Sequence, residues 1–361
     1  MKKRQFFYYE RKIREFSSPE KIFQYFASQM DDHGNSFMNL HDLIAACCNL
    51  LPSSEAGSPL RSGHLPGEPI SEGYNTEAFT KRVPKILLDI VDEDNDGKIS
   101  FQEFCVFQAL RSFPPADLRA IFLMMDEDRS GYVSVDEFKQ VFDMMLSAGR
   151  RAHPGALALR SGLKVDTDDL GTYNSLLRYL FGPKLKKQLS VNDFVKFIED
   201  LDRAVLKMEF AHYDFDGNGT VSGEDFAKAV IANANQRILD KGLQRLPSLP
   251  KTLKETRISE QDFANWGKVC FHHAEITNGF GFFQQLKGVI NKEDFMRGIQ
   301  GITGIRLSQA AMDVVFFVID LDGSGCLHYE EIESVLQSRL ARSHRKIRQS
   351  NAGRFREVLG L

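Results

Sequence analysis

Four stretches of the chain place oxygen-bearing side chains at the spacing of a metal-binding loop. They read DEDNDGKISFQE (92–103), DEDRSGYVSVDE (126–137), DFDGNGTVSGED (214–225) and DLDGSGCLHYEE (320–331). In each, acids or small polar residues stand at positions 1, 3 and 5, glycine at position 6 and an acid at position 12. A hard cation such as Ca²⁺ takes roughly six to eight oxygen ligands, and this spacing wraps oxygens around one point. The stretches, called loop 92, loop 126, loop 214 and loop 320 below, are therefore predicted to bind calcium.

The position within the loop decides which atom of each residue is the ligand. Positions 1, 3, 5 and 12 offer side-chain oxygens, position 7 offers its backbone carbonyl, and position 9 often acts through water. For the first two loops the predicted ligands are Asp92, Asp94, Asp96, Lys98 and Glu103, and Asp126, Asp128, Ser130, Tyr132 and Glu137. For the last two loops they are Asp214, Asp216, Asn218, Thr220 and Asp225, and Asp320, Asp322, Ser324, Cys326 and Glu331. Position 9 holds Ser100, Ser134, Ser222 and His328.

Loop 214 differs from the other three at its last position, where Asp225 replaces glutamate. Aspartate is one methylene shorter, so it must draw its helix toward the ion to bind with both oxygens. If only one oxygen binds, the coordination number falls toward the six that Mg²⁺ prefers. The sequence thus predicts up to four Ca²⁺ ions, with a weaker or Mg²⁺-tolerant site at loop 214.

Weaker copies of the same unit lie between the full loops. They read FMNLHDL (37–43), KQLSVNDF (187–194), TRISEQDF (256–263) and GVINKEDF (288–295). Each keeps an apolar residue and an acid four positions later but lacks the run of three oxygen side chains. These copies are predicted to keep the helix–loop–helix shape without the full ligand set.

The eight copies alternate into four couples, each with one full and one degenerate loop. The couples are 31–43 with loop 92, loop 126 with 182–194, loop 214 with 251–263, and 283–295 with loop 320. Loop position 8 of each copy is expected to bridge to its partner, because an unpaired loop would leave a strand edge open. The expected bridges are Met38 with Ile99, Val133 with Leu189, Val221 with Ile258, and Ile290 with Leu327. The predicted fold class is all-α, built from paired EF-hands of which four are full and about four degenerate.

Composition changes along the chain suggest the domain organisation. We expect an N-terminal domain at 1–110, a first EF-hand lobe at 111–205, a second lobe at 206–338 and a basic C-terminal helix at 339–361. Two stretches rich in glycine, serine and proline, 51–75 and 147–171, are predicted to be mobile linkers.

Bulk composition excludes several classes of protein. The 361 residues carry a net charge of −3, so nothing in the overall charge favours nucleic acid. The five cysteines show no CxxC spacing and are expected to be thiols. No run approaches the roughly 18 apolar residues that a membrane span needs. We find no P-loop, HExxH or GxSxG motif, and we expect no enzyme activity.

The order of these features resembles the mitochondrial calcium uptake proteins, which are EF-hand regulators of the mitochondrial calcium uniporter. The segment YYERKIREFSSPEKIFQYFAS (8–28) carries the most specific part of the likeness. It continues through DGKISFQEF (96–104), YLFGPKLKKQLSVNDFVKFIEDL (179–201), LKMEFAHYD (206–214) and the C-terminal DLDGSGCLHYEEIESVLQSRLAR. The family's two principal sites fall on loops 126 and 320, so full loops 92 and 214 depart from animal members. Loop 92, together with the wording of LKMEFAHYD, points toward plant or algal members.

The resemblance implies a protein of the mitochondrial intermembrane space, peripheral to the inner membrane. It implies a regulator that blocks the uniporter pore at low Ca²⁺ and permits uptake at high Ca²⁺, working as a homo- or heterodimer with family members. Arg11 and Arg14 match basic residues of the family's N-terminal block, and they are the predicted contacts with the acidic mouth of the channel.

Two alternatives remain open at this point. The calcium-sensing front half of a mitochondrial metabolite carrier has a similar series of loops, but such a carrier needs six apolar spans that this chain lacks. A soluble calcium buffer or sensor would bind the ion without a change of shape and without a membrane partner.

Overall fold

The computed structural model of the chain describes residues 2–54, 82–94, 96–113, 117–151, 173–214 and 216–336, without the side chains of 2–6, 147–151 and 287. The chain divides into two compact units. The described part of the first unit covers residues 2–48 and 82–205, and that of the second covers residues 49–54 and 206–336. The predicted C-terminal basic helix and most of both predicted linkers lie outside the described residues.

Helices dominate the first unit, as the sequence predicts. They span Lys2–Phe16, Pro19–Phe26, Leu40–Cys47, Lys85–Val91, Phe101–Leu110, Leu118–Met125, Val135–Arg151, Asn174–Phe181 and Val191–Tyr213. The boundary between the two units falls inside the last of these. The strands of this unit are short and span Gln29–Met30, Ser36–Phe37, Tyr132–Val133 and Leu189–Ser190.

The second unit repeats the same pattern of helices joined by loops. Its helices span Gly223–Ala232, Gln236–Arg245, Lys251–Glu255, Glu260–Phe271, His273–Lys287, Lys292–Thr303 and Gln309–Ile319. A 3-10 turn spans Leu246–Ser248, and residues 329–336 are helical. Its strands span Thr220–Ser222, Arg257–Ser259, Ile290–Asn291 and Cys326–Leu327.

The four predicted couples of loops are confirmed by their backbone bridges. Three form antiparallel two-stranded pairs, and the fourth is an isolated antiparallel bridge. The position-8 partners are Met38 with Ile99, Val133 with Leu189, Val221 with Ile258, and Ile290 with Leu327. All eight side chains are at most 1% exposed. Each couple therefore closes a strand edge and anchors a small apolar core at the same place.

Loop positions 9 and 12 explain why a helix begins at the end of each loop. Loop 320 differs, since Glu331 N–H donates to the His328 carbonyl. In the other seven loops position 9 is the N-cap residue, and its side chain accepts a hydrogen bond from the backbone N–H at position 12. Ser100 does this for Glu103, whose carboxylate accepts in return from Ser100 N–H in a capping box. The degenerate loop ending at Asp42 keeps the same box through Asn39. This shared cap lets full and degenerate copies fold alike.

Phenylalanine fills much of the interior of both units. In the first unit, the Phe23 ring packs edge-on to Phe101 with centroids 5.4 Å apart, and Phe138 stacks on Phe142 at 5.3 Å. In the second unit, Phe263 packs on Phe210 at 5.5 Å. Flat rings placed edge to face fill the gaps between short helices efficiently, which accounts for the 29 phenylalanines of the chain.

Within the described ranges, no helix combines the length and the apolarity that a bilayer crossing requires. No disulfide joins any of the five cysteines, all of which lie within the described residues: Cys48 and Cys270 are buried, and Cys47, Cys105 and Cys326 are half-buried.

Candidate metal centres

Loops 126 and 320 each bring three carboxylates to one point. In loop 126, one oxygen from each of Asp126, Asp128 and Glu137 lies within 4.8 Å of the other two. The first, third and twelfth positions of loop 320 form the same group through Asp320, Asp322 and Glu331. Like charges this close repel one another unless a cation lies among them. An all-oxygen donor set with this charge fits Ca²⁺.

The backbone of loop 126 is wrapped around the first aspartate. Asp126 accepts from Ser130 N–H at 2.8 Å and from Gly131 N–H at 2.9 Å. Gly131 takes φ = 82°, in the left-handed region that costs glycine nothing and strains other residues. Loop 320 repeats this wrap, with Asp320 accepting from Ser324 N–H at 3.1 Å and from the next residue's N–H at 3.0 Å.

The predicted ligands at positions 5 and 7 also face one another. The Ser130 hydroxyl donates to the Tyr132 carbonyl at 2.9 Å, and the Ser324 hydroxyl donates to the Cys326 carbonyl at 3.0 Å. A serine oxygen and a carbonyl oxygen thus lie side by side in both loops, as two neighbouring ligands of one ion must.

The glutamate at position 12 reaches back across its own loop. Glu137 accepts from Glu127 N–H at 3.0 Å with one oxygen and from Ser134 N–H at 2.8 Å with the other. Desolvation opposes its ionisation, but hydrogen bonds from the hydroxyl and N–H of Ser134 lower the pKa of Glu137 below its usual value. Glu331 makes the equivalent bonds, to Leu321 N–H at 2.9 Å and His328 N–H at 3.0 Å.

Loop 92 wraps its backbone around the first aspartate in the same way, but a different set of carboxylates lies close together. Asp92, Asp94 and Asp96 offer oxygens within 4.8 Å of one another, and Glu103 does not join that group. Glu103 still spans the loop, accepting from Glu93 N–H at 2.7 Å. Burial raises the pKa of Glu103 and of Asp92, and neighbouring acids add to the effect at Asp92. The position-5 aspartate gives loop 92 more negative charge near the first ligand than the serine in loops 126 and 320.

The position-7 residue of loop 92, Lys98, bonds within the loop. Its N–H donates to Asp96 at 2.7 Å, and its ammonium lies 5.5 Å from the centre of the Phe37 ring. The side chain therefore lies along the degenerate partner loop, which is consistent with the backbone carbonyl being the group offered to an ion.

Loop 214 assembles its first half only. Asp214 accepts from Asn218 N–H at 3.0 Å, Asn218 donates to Asp216 at 2.6 Å, and Thr220 N–H donates to Asn218 at 2.8 Å. Among the described residues, the acids of this loop form no group of the kind found in the other three loops. Asp225 is fully buried and bonded elsewhere, so the structure does not bring it to the other predicted ligands.

The partners of Asp225 are residues that the motif did not indicate. Its carboxylate accepts from Ser53 Oγ at 3.0 Å, Ser54 N–H at 2.6 Å, Ser54 Oγ at 2.8 Å and Lys228 Nζ at 3.0 Å. Ser53 and Ser54 lie in the stretch predicted to be a linker. The only signal for this in the sequence is the aspartate itself, since Asp225 shares its residue type with position 12 of the degenerate loops.

Arg11 and Arg14 face inward rather than outward. Arg11 Nε pairs with Glu15 at 3.0 Å, and Arg14 pairs with Glu10 at 3.1 Å while donating to the Ala45 carbonyl at 2.7 Å. Their side chains are only 6% and 8% exposed. Both ion pairs lie within the N-terminal helix, and Arg14 also ties that helix to Ala45. Contact of Arg11 and Arg14 with a partner stays a prediction.

Two models of an EF-hand domain pair match the chain. One covers residues 85–143, which include loops 92 and 126, and the other covers residues 287–339, which include loop 320. Loop 214 lies outside both matches. These domains imply calcium binding by the chain.

Relatives match along almost the whole chain. The mitochondrial calcium uptake protein of Arabidopsis thaliana is 33% identical over 338 residues, which is 92% of this chain and 66% of that protein. Mitochondrial calcium uptake protein 1 of Danio rerio is 25% identical over 94% of this chain and 69% of its own length. The chain thus spans about two thirds of the length of these relatives.

The fold has a counterpart among solved structures. The apo structure of the mitochondrial calcium uniporter protein MICU2 superposes with a TM-score of 0.59 over 95% of this chain and 94% of that one, at 19% identity. This superposition supports the fold of paired EF-hands. The family is shown by the sequence match to the Arabidopsis thaliana protein. The chain belongs to the family of mitochondrial calcium uptake proteins.

Proposed function

We propose that this protein is a calcium-sensing regulatory subunit of the mitochondrial calcium uniporter, which blocks uptake at low Ca²⁺ and permits it at high Ca²⁺. The single observation that carries the proposal is the pair of matching three-carboxylate groups in loops 126 and 320. They lie in a chain whose relatives carry calcium uptake in their names. A calcium sensor needs sites that bring several carboxylate oxygens to one point, and these loops provide them.

Loops 92, 126 and 320 each hold one Ca²⁺ ion in this proposal. The ligands are those predicted by position, with the bidentate acid supplied by Glu103, Glu137 and Glu331. Loop 214 is a fourth, weaker site that tolerates Mg²⁺. An ion supplies the positive charge that the clustered carboxylates lack.

The switch lies in the glutamate at position 12, which is both a ligand and the third residue of the following helix. When Ca²⁺ enters loop 126, Glu137 exchanges its bonds to Glu127 and Ser134 for the ion, and helix Val135–Arg151 changes its angle. The degenerate partner loop binds no ion and remains fixed through the Val133–Leu189 bridge. Only one side of each couple therefore moves.

Apolar side chains near loop 126 provide a surface that this movement can expose or cover. Leu123, Met124, Tyr132 and Met144 are 70%, 39%, 46% and 47% exposed. Large exposed apolar side chains on the two helices and the strand of one EF-hand are candidates for a protein–protein contact. We propose that this surface contributes to contacts with a second family member or with the channel.

The site of action in this proposal is the intermembrane space, on the surface of the inner membrane. The N-terminal helix faces the channel. Arg11 and Arg14 can reach the channel only if their pairs with Glu15 and Glu10 break, whereas Lys12 is already exposed. Lys12→Glu is therefore expected to weaken association with the channel without first disturbing the packing of the helix.

Calcium-dependent association with the purified uniporter pore subunit tests the proposal. Tagged protein is expected to retain the pore subunit to different extents in excess Ca²⁺ and in chelator, and Glu137→Lys with Glu331→Lys is expected to abolish that difference. Equal retention in both conditions, or none in either, would overturn the proposal. Calcium binding without any change in hydrodynamic radius would instead favour a buffer.

A further inference from the structure

The carboxylate of Asp225 is buried and saturated with donors from its own unit. It is 0% exposed, and five donor groups lie within hydrogen-bond distance: the four from Ser53, Ser54 and Lys228, and Ser222 Oγ at 3.1 Å. A carboxylate offers about four lone-pair positions. The donors present therefore leave no lone pair for a cation while this arrangement holds.

The segment that supplies most of these donors is firmly seated. Leu50 and Leu51 are 3% and 4% exposed. Leu51 N–H donates to the Tyr213 hydroxyl at 3.1 Å, and the Leu51 carbonyl lies 3.3 Å from His212 Nε2. Residues 49–54, called the docking segment below, are thus held by the burial of two leucines and by hydrogen bonds of the Leu51 N–H and carbonyl.

The same use of an aspartate recurs at two of the four degenerate loops. Asp42 accepts from the N–H of Ser28 at 3.1 Å and from its hydroxyl, and Asp262 accepts from Ser308 N–H at 2.9 Å. Both aspartates occupy position 12, and both hold a residue from outside their loop. The glutamates of loops 92, 126 and 320 instead accept from N–H groups at positions 2 and 9 of their own loops.

Loop 214 therefore carries metal ligands at positions 1, 3 and 5, while its position-12 carboxylate binds the docking segment. We propose that the docking segment competes with Ca²⁺ for Asp225, so that Ser53 and Ser54 set the affinity of loop 214. This inference rests on the proposal that loop 214 is a calcium site, and it deepens that proposal. Ion binding and docking are mutually exclusive because both use the same two carboxylate oxygens.

The competition follows from the reach of the side chain. To complete a bidentate site Asp225 must turn into the loop, since aspartate is one methylene shorter than the glutamate that usually closes it. That movement breaks the hydrogen bonds from Ser53 and Ser54. These bonds are stronger than hydrogen bonds between neutral groups because the acceptor is a carboxylate. The affinity of loop 214 is therefore lowered by the stability of the docked segment, and removing the two hydroxyls should raise it.

The direct test measures Ca²⁺ binding to loop 214 alone, in the full chain. Glu103→Gln, Glu137→Gln and Glu331→Gln weaken the other three loops, and calorimetry then reports the remaining site. Adding Ser53→Ala and Ser54→Ala is expected to raise its affinity at least about tenfold, which corresponds to about 1.4 kcal/mol, because each substitution removes a hydrogen bond that holds the Asp225 carboxylate away from the ion. Ser248→Ala is the matched control, because that exposed serine donates only to the Arg245 carbonyl.

A second readout follows the segment instead of the ion. With the two serines intact, Ca²⁺ is expected to accelerate amide hydrogen exchange at Ser54, while Asp225→Asn is expected to remove this response. An unchanged affinity in the serine variant overturns the inference, and so does exchange at Ser54 that ignores Ca²⁺. If the double variant fails to fold, Ser53→Ala alone is measured in the same exchange experiment, and an unchanged response of Ser54 to Ca²⁺ overturns the inference. Failure here leaves loops 126 and 320 untouched, so it is distinguishable from failure of the proposed function.

Discussion

A single methylene group separates the two uses of position 12 in this chain. Where the residue is glutamate, the carboxylate spans its own loop and can exchange two N–H bonds for an ion. At three of the five aspartates in this position, Asp42, Asp225 and Asp262, the carboxylate holds a residue from outside its loop. The shorter side chain thus allows a second use of position 12 that none of the three glutamates shows.

The carboxylate of Glu137 is the first place to test this difference. Replacing Glu137 by Gln removes the bidentate acid but keeps the size of the side chain, so loop 126 is expected to lose Ca²⁺ affinity. The loss should exceed the roughly 10–100-fold that removing an outer-shell partner costs, because a direct ligand is removed. Calorimetry or equilibrium dialysis should count one fewer tightly bound ion.

The neighbouring Asp136 provides the control for that measurement. It is an exposed acid at loop position 11, where the motif has no ligand. Asp136→Asn removes the same charge, so a loss equal to that of Glu137→Gln would mean that net charge, and not coordination, governs affinity.

The helices that flank the loops depend on close contacts at particular glycines. Helix Lys292–Thr303 follows a degenerate loop and packs on helix His273–Lys287. A Cβ at Gly298 would come within 2.7 Å of Phe280 Cε1, and that ring is only 3% exposed. Gly301, one turn further along the same helix, has open space around it. Substituting alanine at the two positions therefore distinguishes the effect of a packing clash from the effect of helix propensity.

Gly298→Ala and Gly301→Ala are expected to change the free energy of unfolding in opposite directions. At Gly298 the methyl group must displace the Phe280 ring, and overpacking of this kind costs about 1–3 kcal/mol. At Gly301 alanine restricts the unfolded chain without a clash, which stabilises by about 0.5–1 kcal/mol. Urea unfolding followed by circular dichroism measures both. Equal effects of the two substitutions would contradict the packing described for this helix pair.

The sequence predicted the local architecture of the molecule well. The four bridges follow from the apolar residue at position 8 of each twelve-residue loop, and spacing of this kind is what a sequence shows directly. The contact between Ser54 and Asp225 joins residues 171 positions apart and carries no local pattern. The inward turn of Arg11 and Arg14 likewise depends on which face of the helix packs. Long-range packing therefore decides the surroundings of Asp225, Arg11 and Arg14, and spacing along the sequence does not show it.

Calcium is expected to stabilise the whole chain, because the folded loops bind the ion and the unfolded chain does not present them. One site at a free Ca²⁺ concentration a hundred times its Kd adds about 2.7 kcal/mol to the free energy of unfolding. Chelator should lower the midpoint of thermal unfolding, and Glu137→Gln with Glu331→Gln should remove most of the shift. A melting midpoint that is the same in Ca²⁺ and in chelator would argue against occupied loops.

Ca²⁺ flux through reconstituted uniporter pore subunit in liposomes tests the central claim most directly. Added to the outer face, this protein is expected to suppress flux at submicromolar Ca²⁺ and to release it as Ca²⁺ rises, because occupied loops 126 and 320 re-angle their helices. Glu137→Lys with Glu331→Lys should suppress flux at both concentrations. Flux that is the same with and without the protein at every Ca²⁺ concentration would contradict the account.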